Sequence, residues 1–307
     1  MCWLVDHPYH YWYMVKSRYT IIACNDEIGC RMLRESGFEQ TLFLPHAATA
    51  LPEEELSKER DLPIVFLSSF HDFEAERQSW WQLPYRYGNL LEETAQHCLS
   101  DPYTNYIYEF LDGLQKISQG ASKPLLPLPK IFELLTSLER YLKGKAKALA
   151  LCSLPEGKVH VFNEKWQPYL LRIRPDIAVY PTVSYCEALA LMRRAKIVFN
   201  SSIHSSNGGH ERIFSAMAAG ATSLTNWNPY MGSHFTDDEV AFYRHNELEK
   251  LSTIASTLLE DENRCAQIAA QGRAKLLRDH TWEARIDSFI PAIEKIQQQL
   301  SESPSLH

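Results

Sequence analysis

Asn207-Gly208-Gly209-His210-Glu211-Arg212-Ile213-Phe214-Ser215-Ala216-Met217-Ala218-Ala219-Gly220-Ala221 carries the strongest structural signal in this chain. It follows the apolar run Lys196–Asn200, which reads as a buried strand ending in small polar residues. A second run, Ala221–Thr225, comes after it. Strand, glycine-bearing loop, short helix and strand predict two parallel, neighbouring central strands joined by a crossover helix. The same order sets unpaired N–H groups and the positive end of a helix dipole at the carboxyl end of a strand, a place that suits a phosphate. Arg212 in the first turn can pair with an anionic leaving group, and Glu211 can accept from a sugar or ribose hydroxyl. His210 joins them at the helix start, where capping is its competing role. Gly209, Asn200, Ser201 and Asn226 complete the candidate donor-binding set, with ordinary turn chemistry as the competing role for Asn200 and Ser201.

Working outward, βα alternation recurs from Lys158 onward. Val159–Phe162, Ile177–Tyr180 and Val240–Tyr243 read as strands. Ser184-Tyr185-Cys186-Glu187 has capping-box spacing and opens a helix to Arg194. Helices follow from Asn246 and Asn263, and a last one runs from about Thr281 to Leu300. Upstream, Leu62–Ser69 is a strand followed by small residues, and the region from about 84 to 150 is mainly helical, punctuated by Asp101-Pro102 and the loop Gly120–Pro129. The first residues give three short apolar runs, Cys2–Val5, Tyr19–Cys24 and Thr41–Leu44, with a helix over Asp26–Ser36 closed by Gly37. That is a βαβ fragment, too small for a complete doubly wound domain. Leu51–Asp61 is charged and proline-marked, a linker or surface turn. Period and order together predict an α/β fold with a parallel sheet covered on both faces.

Composition narrows the function classes. The 307 residues are 45% hydrophobic and 22% charged, as expected of a globular chain of about two domains. A net charge of −7 without a Lys/Arg block argues against binding a nucleic-acid backbone. Seven scattered cysteines with no C-x-x-C pair point to reduced thiols and a cytoplasmic location. No apolar run spans a bilayer, and no signal peptide is apparent. Asp6 and His7 end a strand and are candidates for a base acting on an acceptor hydroxyl. His7 and His10 lack a third ligand, so no metal site is expected. Asp237-Asp238-Glu239 reads as a solvated turn. Trp80-Trp81 and the aromatic run Tyr9–Tyr13 read as core or domain-contact residues, with a sugar-stacking platform as the lesser alternative.

Glu211–Ala221, Thr225-Asn226 and Phe235–Glu239 together resemble the C-terminal domain of glycosyltransferases of the group 1 type. The likeness is greatest to the spore-maturation-protein-B-like (CgeB-like) branch. Trp3–Pro8, Ile64–Ser69 and His280–Arg285 resemble that branch's N-terminal strand end, first donor-domain strand and closing helix entry. The resemblance implies a GT-B architecture: a partial N-terminal, acceptor-side Rossmann-like domain over residues 1–60, a nucleotide-sugar-binding domain over 61–280 with a helical insertion at about 84–150, and a closing helix and tail over 281–307. It implies a metal-independent glycosyltransferase, hexosyltransferase-like, with a nucleotide-sugar as donor substrate, no other cofactor, and an acceptor of unknown kind. The catalytic candidates are then Glu211, Asp6 and His7.

Two features depart from that pattern. Group 1 enzymes often carry two glutamates eight positions apart, and here those positions hold Asn207 and Ser215. The N-terminal part is also short, as if the first strands were missing or supplied by a partner chain completing its sheet. Both departures keep a second function open, a non-catalytic nucleotide- or glycan-binding protein descended from such an enzyme.

Overall fold

The computed structural model describes residues 1–14, 20–56, 59–101, 103–119 and 126–302. Tyr19, Pro102, residues 120–125 of the expected loop and the tail from 303 lie outside the described residues. The N-terminal unit holds β1 (Cys2–Leu4), a 3-10 segment Pro8–Met14, β2 (Ile22–Cys24), α1 (Glu27–Glu35) and β3 (Thr41–Phe43). Its strands are parallel, in the order β1-β2-β3. Among the described residues neither outer strand pairs with a further strand, so two edges stay open.

A larger unit follows. It begins with β4 (Leu62–Phe66) and four helices, α2 (Phe73–Trp80), α3 (Tyr85–Ser100), α4 (Tyr106–Ser118) and α5 (Leu128–Cys152). Regular alternation then gives β5 (Val159–Phe162), α6 (Gln167–Ile173), β6 (Ala178–Tyr180), α7 (Tyr185–Arg194), β7 (Ala195–Asn200), α8 (Glu211–Ala218) and β8 (Thr222–Asn226). The chain ends through α9 (Pro229–His234), β9 (Ala241–Tyr243), α10 (Leu251–Glu260), α11 (Glu262–Asp279) and α12 (Trp282–Glu302). Six parallel strands are ordered β6-β5-β4-β7-β8-β9. In chain order this is the doubly wound 3-2-1-4-5-6 arrangement, and its strand order reverses between β4 and β7.

The physical cause is plain in the two central strands. Ile64, Val65, Phe66, Ile197, Val198 and Phe199 are all fully buried, so both faces of the sheet must be covered by helices. β7 and β8 are parallel neighbours, with Val198 opposite Ser223 and Asn200 opposite Thr225. The α8 helix stops where Gly220 takes a left-handed φ of 68°. Gly220 N–H then donates to Met217 and Ala221 N–H to Ala216, a Schellman closure that a Cβ-bearing residue would strain. The predicted capping box is formed by Ser184 and Glu187.

Four features refine the sequence expectations. The charged stretch before Asp61 is no loose linker: Arg60 donates to the carbonyls of Met192, Arg193, Ala195 and Ala219, tying together the ends of α7 and α8. Trp80 is core, donating to Ser137, whereas Trp81 is 71% exposed. Tyr9 is buried while Tyr13 faces solvent. The short helices α6 and α9 were unanticipated, although Asn228-Pro229 is a legible cap and first turn for α9.

α12 carries the chain back to the N-terminal unit. Ala48 bridges to Thr281, and its N–H donates to His280. Trp3 packs edge-on against Trp282, and Arg285 donates to Tyr230 Oη and to His280 Nδ1. No helix among the described residues is long and apolar enough to cross a membrane.

Candidate functional site

Ligands of open parallel sheets bind beyond the carboxyl ends of the strands, at the point where strand order reverses. Here that point lies beyond β4 and β7, where Ser68-Ser69 and the 201–210 loop leave the sheet. A third element closes in from the helical insert. Gly144 lets α5 press onto the strand-end loop: a Cβ there would stand 2.5 Å from the His71 carbonyl oxygen. That approach brings Lys143 and Lys147, one helical turn apart, to the strand ends. On the far side, β1 and β2 deliver Asp6, His7, Asn25 and Asp26. Between them lies a cavity of about 300 Å³ lined by residues of both units, including Asp6, His7, Lys143, Lys147, His204, His210 and Arg212.

One wall of this cavity is cationic and lacks counter-charge. Arg212 donates to Asn200 Oδ1 at 2.8 Å and has no carboxylate partner among the described residues. Lys147 is buried, reaches only the Ser69 carbonyl at 3.4 Å, and likewise has no carboxylate partner among them. Burial pulls the Arg212 guanidinium down to about 10. Lys147 is held well below the usual lysine range by burial, then by repulsion from Arg212 and Lys143. Burial lowers the imidazoles of His46, His204 and His210, and brings His71 to about 4 with help from Lys147 and Lys143. Every one of these shifts has the sign that burial of a cationic group gives, and for His46, His71, His204 and Arg212 the nearby carboxylates offset it only in part.

Two histidines have tautomers set by their partners. His210 caps α8 through Nδ1, which accepts the Arg212 N–H at 3.2 Å, so the neutral ring carries its proton on Nε2. His7 Nε2 lies 3.2 Å from the His204 carbonyl oxygen. A carbonyl only accepts, so Nε2 is the donor. The His7 Nδ1 lone pair is left buried and without a partner among the described residues.

The carboxylates of the cavity are already committed. Glu139 accepts from Tyr9 Oη at 2.6 Å, pairs with His10 at 2.6 Å and with Lys143 at 2.7 Å. Burial pushes its carboxyl up, but the His10 hydrogen bond and the Lys143 charge outweigh this and hold it well below the usual range. Asp26 caps α1 and accepts from the 201–210 loop. Asp6 lies 3.9 Å from Lys143 and is half exposed.

The sequence candidates therefore separate. His210, Arg212, Asp6 and His7 come together at the cavity. Asn200, Ser201 and Asn226 are buried beneath it, with polar atoms engaged by protein partners: Asn200 by Arg212, Ser202 and Thr225, Ser201 by His245, and Asn226 by the Ser202 N–H. Asn200 reaches the cavity through Arg212, which it orients. At Gly209 a Cβ would meet the Phe214 ring at 2.7 Å, so packing accounts for this glycine. Glu211 turns toward Ser215 and Tyr185 on the α7 side and does not line the cavity. The glycine-bearing loop also differs from expectation. The loop was expected to offer unpaired backbone N–H groups to a phosphate, but its Asn207 N–H donates to Asp26, as does the Ser205 hydroxyl.

Lys143, Lys147, His204 and Glu139 were missed by sequence reasoning. The Lys-Gly-Lys-Ala-Lys spacing of α5 does carry a signal, since residues four apart share a helix face. Only the fold says which face meets the strand ends. Asp237-Asp238-Glu239 is a turn: Glu239 accepts from Thr236, and Asp238 pairs with Arg264. Among the described residues no cluster of His, Cys, Asp or Glu is placed to hold a metal ion. A larger hollow of about 860 Å³ opens at the amino ends of the strands, but its wall is alanine-rich. Of its cations, Lys196 and Arg273 are paired with Glu262 and Glu53, and Arg60 is taken up by the four backbone carbonyls named above.

Comparison with known proteins agrees with this architecture. Residues 143–290 match the family model described as "Glycosyl transferase-like". Sucrose-phosphate synthase from Thermosynechococcus elongatus is 12% identical and superposes with a TM-score of 0.51 over 92% of this chain and 59% of its own. HepE of Anabaena, solved with UDP-glucose, gives 13%, 0.49, 92% and 64%. A glycosyltransferase from Rickettsia africae ESF-5 gives 10%, 0.43, 99% and 69%. This chain thus spans less than two thirds of the length of the first two. No curated sequence matches it. The class defined by the fold is GT-B-like α/β, a Rossmann-like C-terminal domain facing a shorter Rossmann-like part. Within that class, residues 143–290 form a region similar to glycosyl transferases.

Proposed function

We propose that this protein transfers a sugar from a nucleotide-diphosphate donor to an acceptor hydroxyl. One observation carries the proposal: Arg212 and Lys147 line a cavity at the strand-order reversal with no carboxylate partner among the described residues. A buried guanidinium is costly unless an anion completes it, and a buried amine yields its proton more readily until one does. A diphosphate fits that need, with Arg212, Lys147 and the His210 Nε2–H as donors and the α8 start behind them. Transfer breaks the bond between the sugar carbon and the phosphate oxygen, and the departing diphosphate takes the electron pair. The cationic wall stabilises that developing charge without reorganising. The acceptor oxygen bonds to the same carbon, and its proton passes to the His7 Nδ1 lone pair, with Asp6 beside it at the cavity rim. No step passes through Glu211.

These cations supply the charge compensation needed for metal-independent chemistry. Placement in the CgeB-like branch and a hexose as the sugar are extensions of the same proposal. The seven free thiols support a cytoplasmic setting, and the two open edges of the N-terminal sheet support pairing with a partner chain.

Nucleotide binding is expected to take up protons. Lys147 is depressed in the free protein, and a bound diphosphate raises it, so the complex holds more protons than the separated partners. Affinity must then fall as pH rises through the interval between the depressed titration of free Lys147 and its raised titration in the complex. Calorimetry of UDP, GDP, ADP and CDP in buffers of different ionisation enthalpy measures this directly. Uptake is expected for whichever nucleotide binds, and no binding by any of them contradicts the proposal.

A further inference from the structure

The 201–210 loop carries His204 and His210 and leads into Arg212, so its position sets the geometry of the cationic wall. Its fastening comes from the other half of the molecule. Asp26 is 3% exposed and uses both carboxylate oxygens. Oδ1 accepts the Ile28 N–H at 2.8 Å, capping α1. Oδ2 accepts the Ser205 hydroxyl at 3.1 Å and the Asn207 N–H at 3.1 Å. The Glu27 N–H, the next donor of the same helix start, goes to the Asn207 carbonyl at 3.1 Å. At the centre of this seam stands Gly208, where a Cβ would lie 2.5 Å from the Asn25 carbonyl oxygen. The backbones touch, and no side chain fits between them.

We propose that Asp26 is a positioning residue for sugar transfer, a clasp by which the N-terminal unit holds the 201–210 loop in the conformation that presents His204, His210 and Arg212 to the donor. The assignment rests on the donor site proposed above. It accounts for a carboxylate at the edge of an anion site: with three donors on its two oxygens, Asp26 engages the loop's own N–H and hydroxyl groups, which are thereby withheld from the substrate. It also makes the acceptor-side unit a part of the donor site, so separating the two halves disorders the cationic wall.

Asp26→Ser separates the clasp from the helix cap. Serine caps a helix start about as well as aspartate, but its shorter side chain does not reach Ser205 and Asn207. Hydrogen exchange should show the Asn207 amide opening at least about 10-fold faster in Asp26→Ser, while the α1 amides beyond Glu27, whose own N–H belongs to the seam, keep their wild-type rates. Affinity for the nucleoside diphosphate that wild type binds best among UDP, GDP, ADP and CDP should fall about 10-fold, the worth of one charge-assisted hydrogen bond in loop placement. Unchanged exchange at Asn207 overturns the clasp, as does equal loosening of α1 and the loop, which is the signature of a cap alone. The exchange arm is independent of nucleotide: faster Asn207 exchange in a protein that binds no nucleotide sustains the clasp and refutes the donor site.

Discussion

Substituting alanine for Glu139 is expected to lower the unfolding free energy by about 3–5 kcal/mol, because it leaves buried partners of a charge without that charge. Glu139 joins α5 of the insert to the 3-10 segment of the N-terminal unit, through Tyr9 and His10, and at the same time neutralises Lys143. Tyr9 in turn contacts Tyr106 Oη at 2.8 Å, so one carboxylate organises groups from three elements. Removal leaves Lys143 only the half-exposed Asp6, 3.9 Å away, beside Lys147, which has no carboxylate partner among the described residues. Equilibrium urea denaturation measures the loss. A change below about 1 kcal/mol, the range of an exposed ion pair, would mean that water enters the network freely.

Arg212→Ala is expected to weaken nucleoside diphosphate binding by about 1.5–3 kcal/mol, or about 10- to 150-fold, the usual worth of a charged hydrogen bond. Two consequences distinguish this from general damage. Asn200 Nδ2 keeps Ser202 and Thr225, while the loss of the Oδ1 donor is offset by removal of a buried charge without a carboxylate partner, so fold stability changes little. Removing Arg212 also relieves repulsion on Lys147, whose amine should titrate closer to its ordinary range. Proton uptake on nucleotide binding should therefore shrink in the variant. Calorimetry reads both quantities. Unchanged affinity would place the diphosphate elsewhere.

Much of the fold was legible because its causes are local. Lys196–Asn200 and Ala221–Thr225 announce buried parallel strands by unbroken apolar character, and Ser184 and Gly220 mark helix ends by their own chemistry. His210, Arg212, Asp6 and His7 were legible for a topological reason, since all stand at strand ends or helix starts where such sheets bind ligands. Glu211 was misleading because sequence spacing does not say which side of a first helical turn faces the sheet opening. Its carboxylate turns instead to Ser215 and accepts from its hydroxyl. Asn207 and Gly208 suggested a phosphate loop, yet the acceptor of that loop is an aspartate about 180 residues earlier, as the sequence separation of their hydrogen bond records. Glu139 and Lys147 sit inside a helical insert whose apolar pattern speaks only of packing. Their role comes from Gly144, which lets α5 approach the strand ends.

Release of nucleoside diphosphate from a panel of nucleotide-sugars, followed by mass spectrometry with and without candidate hydroxyl acceptors, tests sugar transfer most directly. Wild type should consume at least one donor, and Arg212→Ala should lower that donor's kcat/KM by about 10- to 150-fold, in proportion to the lost stabilisation of the leaving group. His7→Ala should slow transfer to the acceptor more than it weakens nucleotide binding. A wild-type protein that binds nucleoside diphosphates tightly yet consumes no donor across the panel would contradict the enzyme and define a nucleotide-binding relative that has lost turnover.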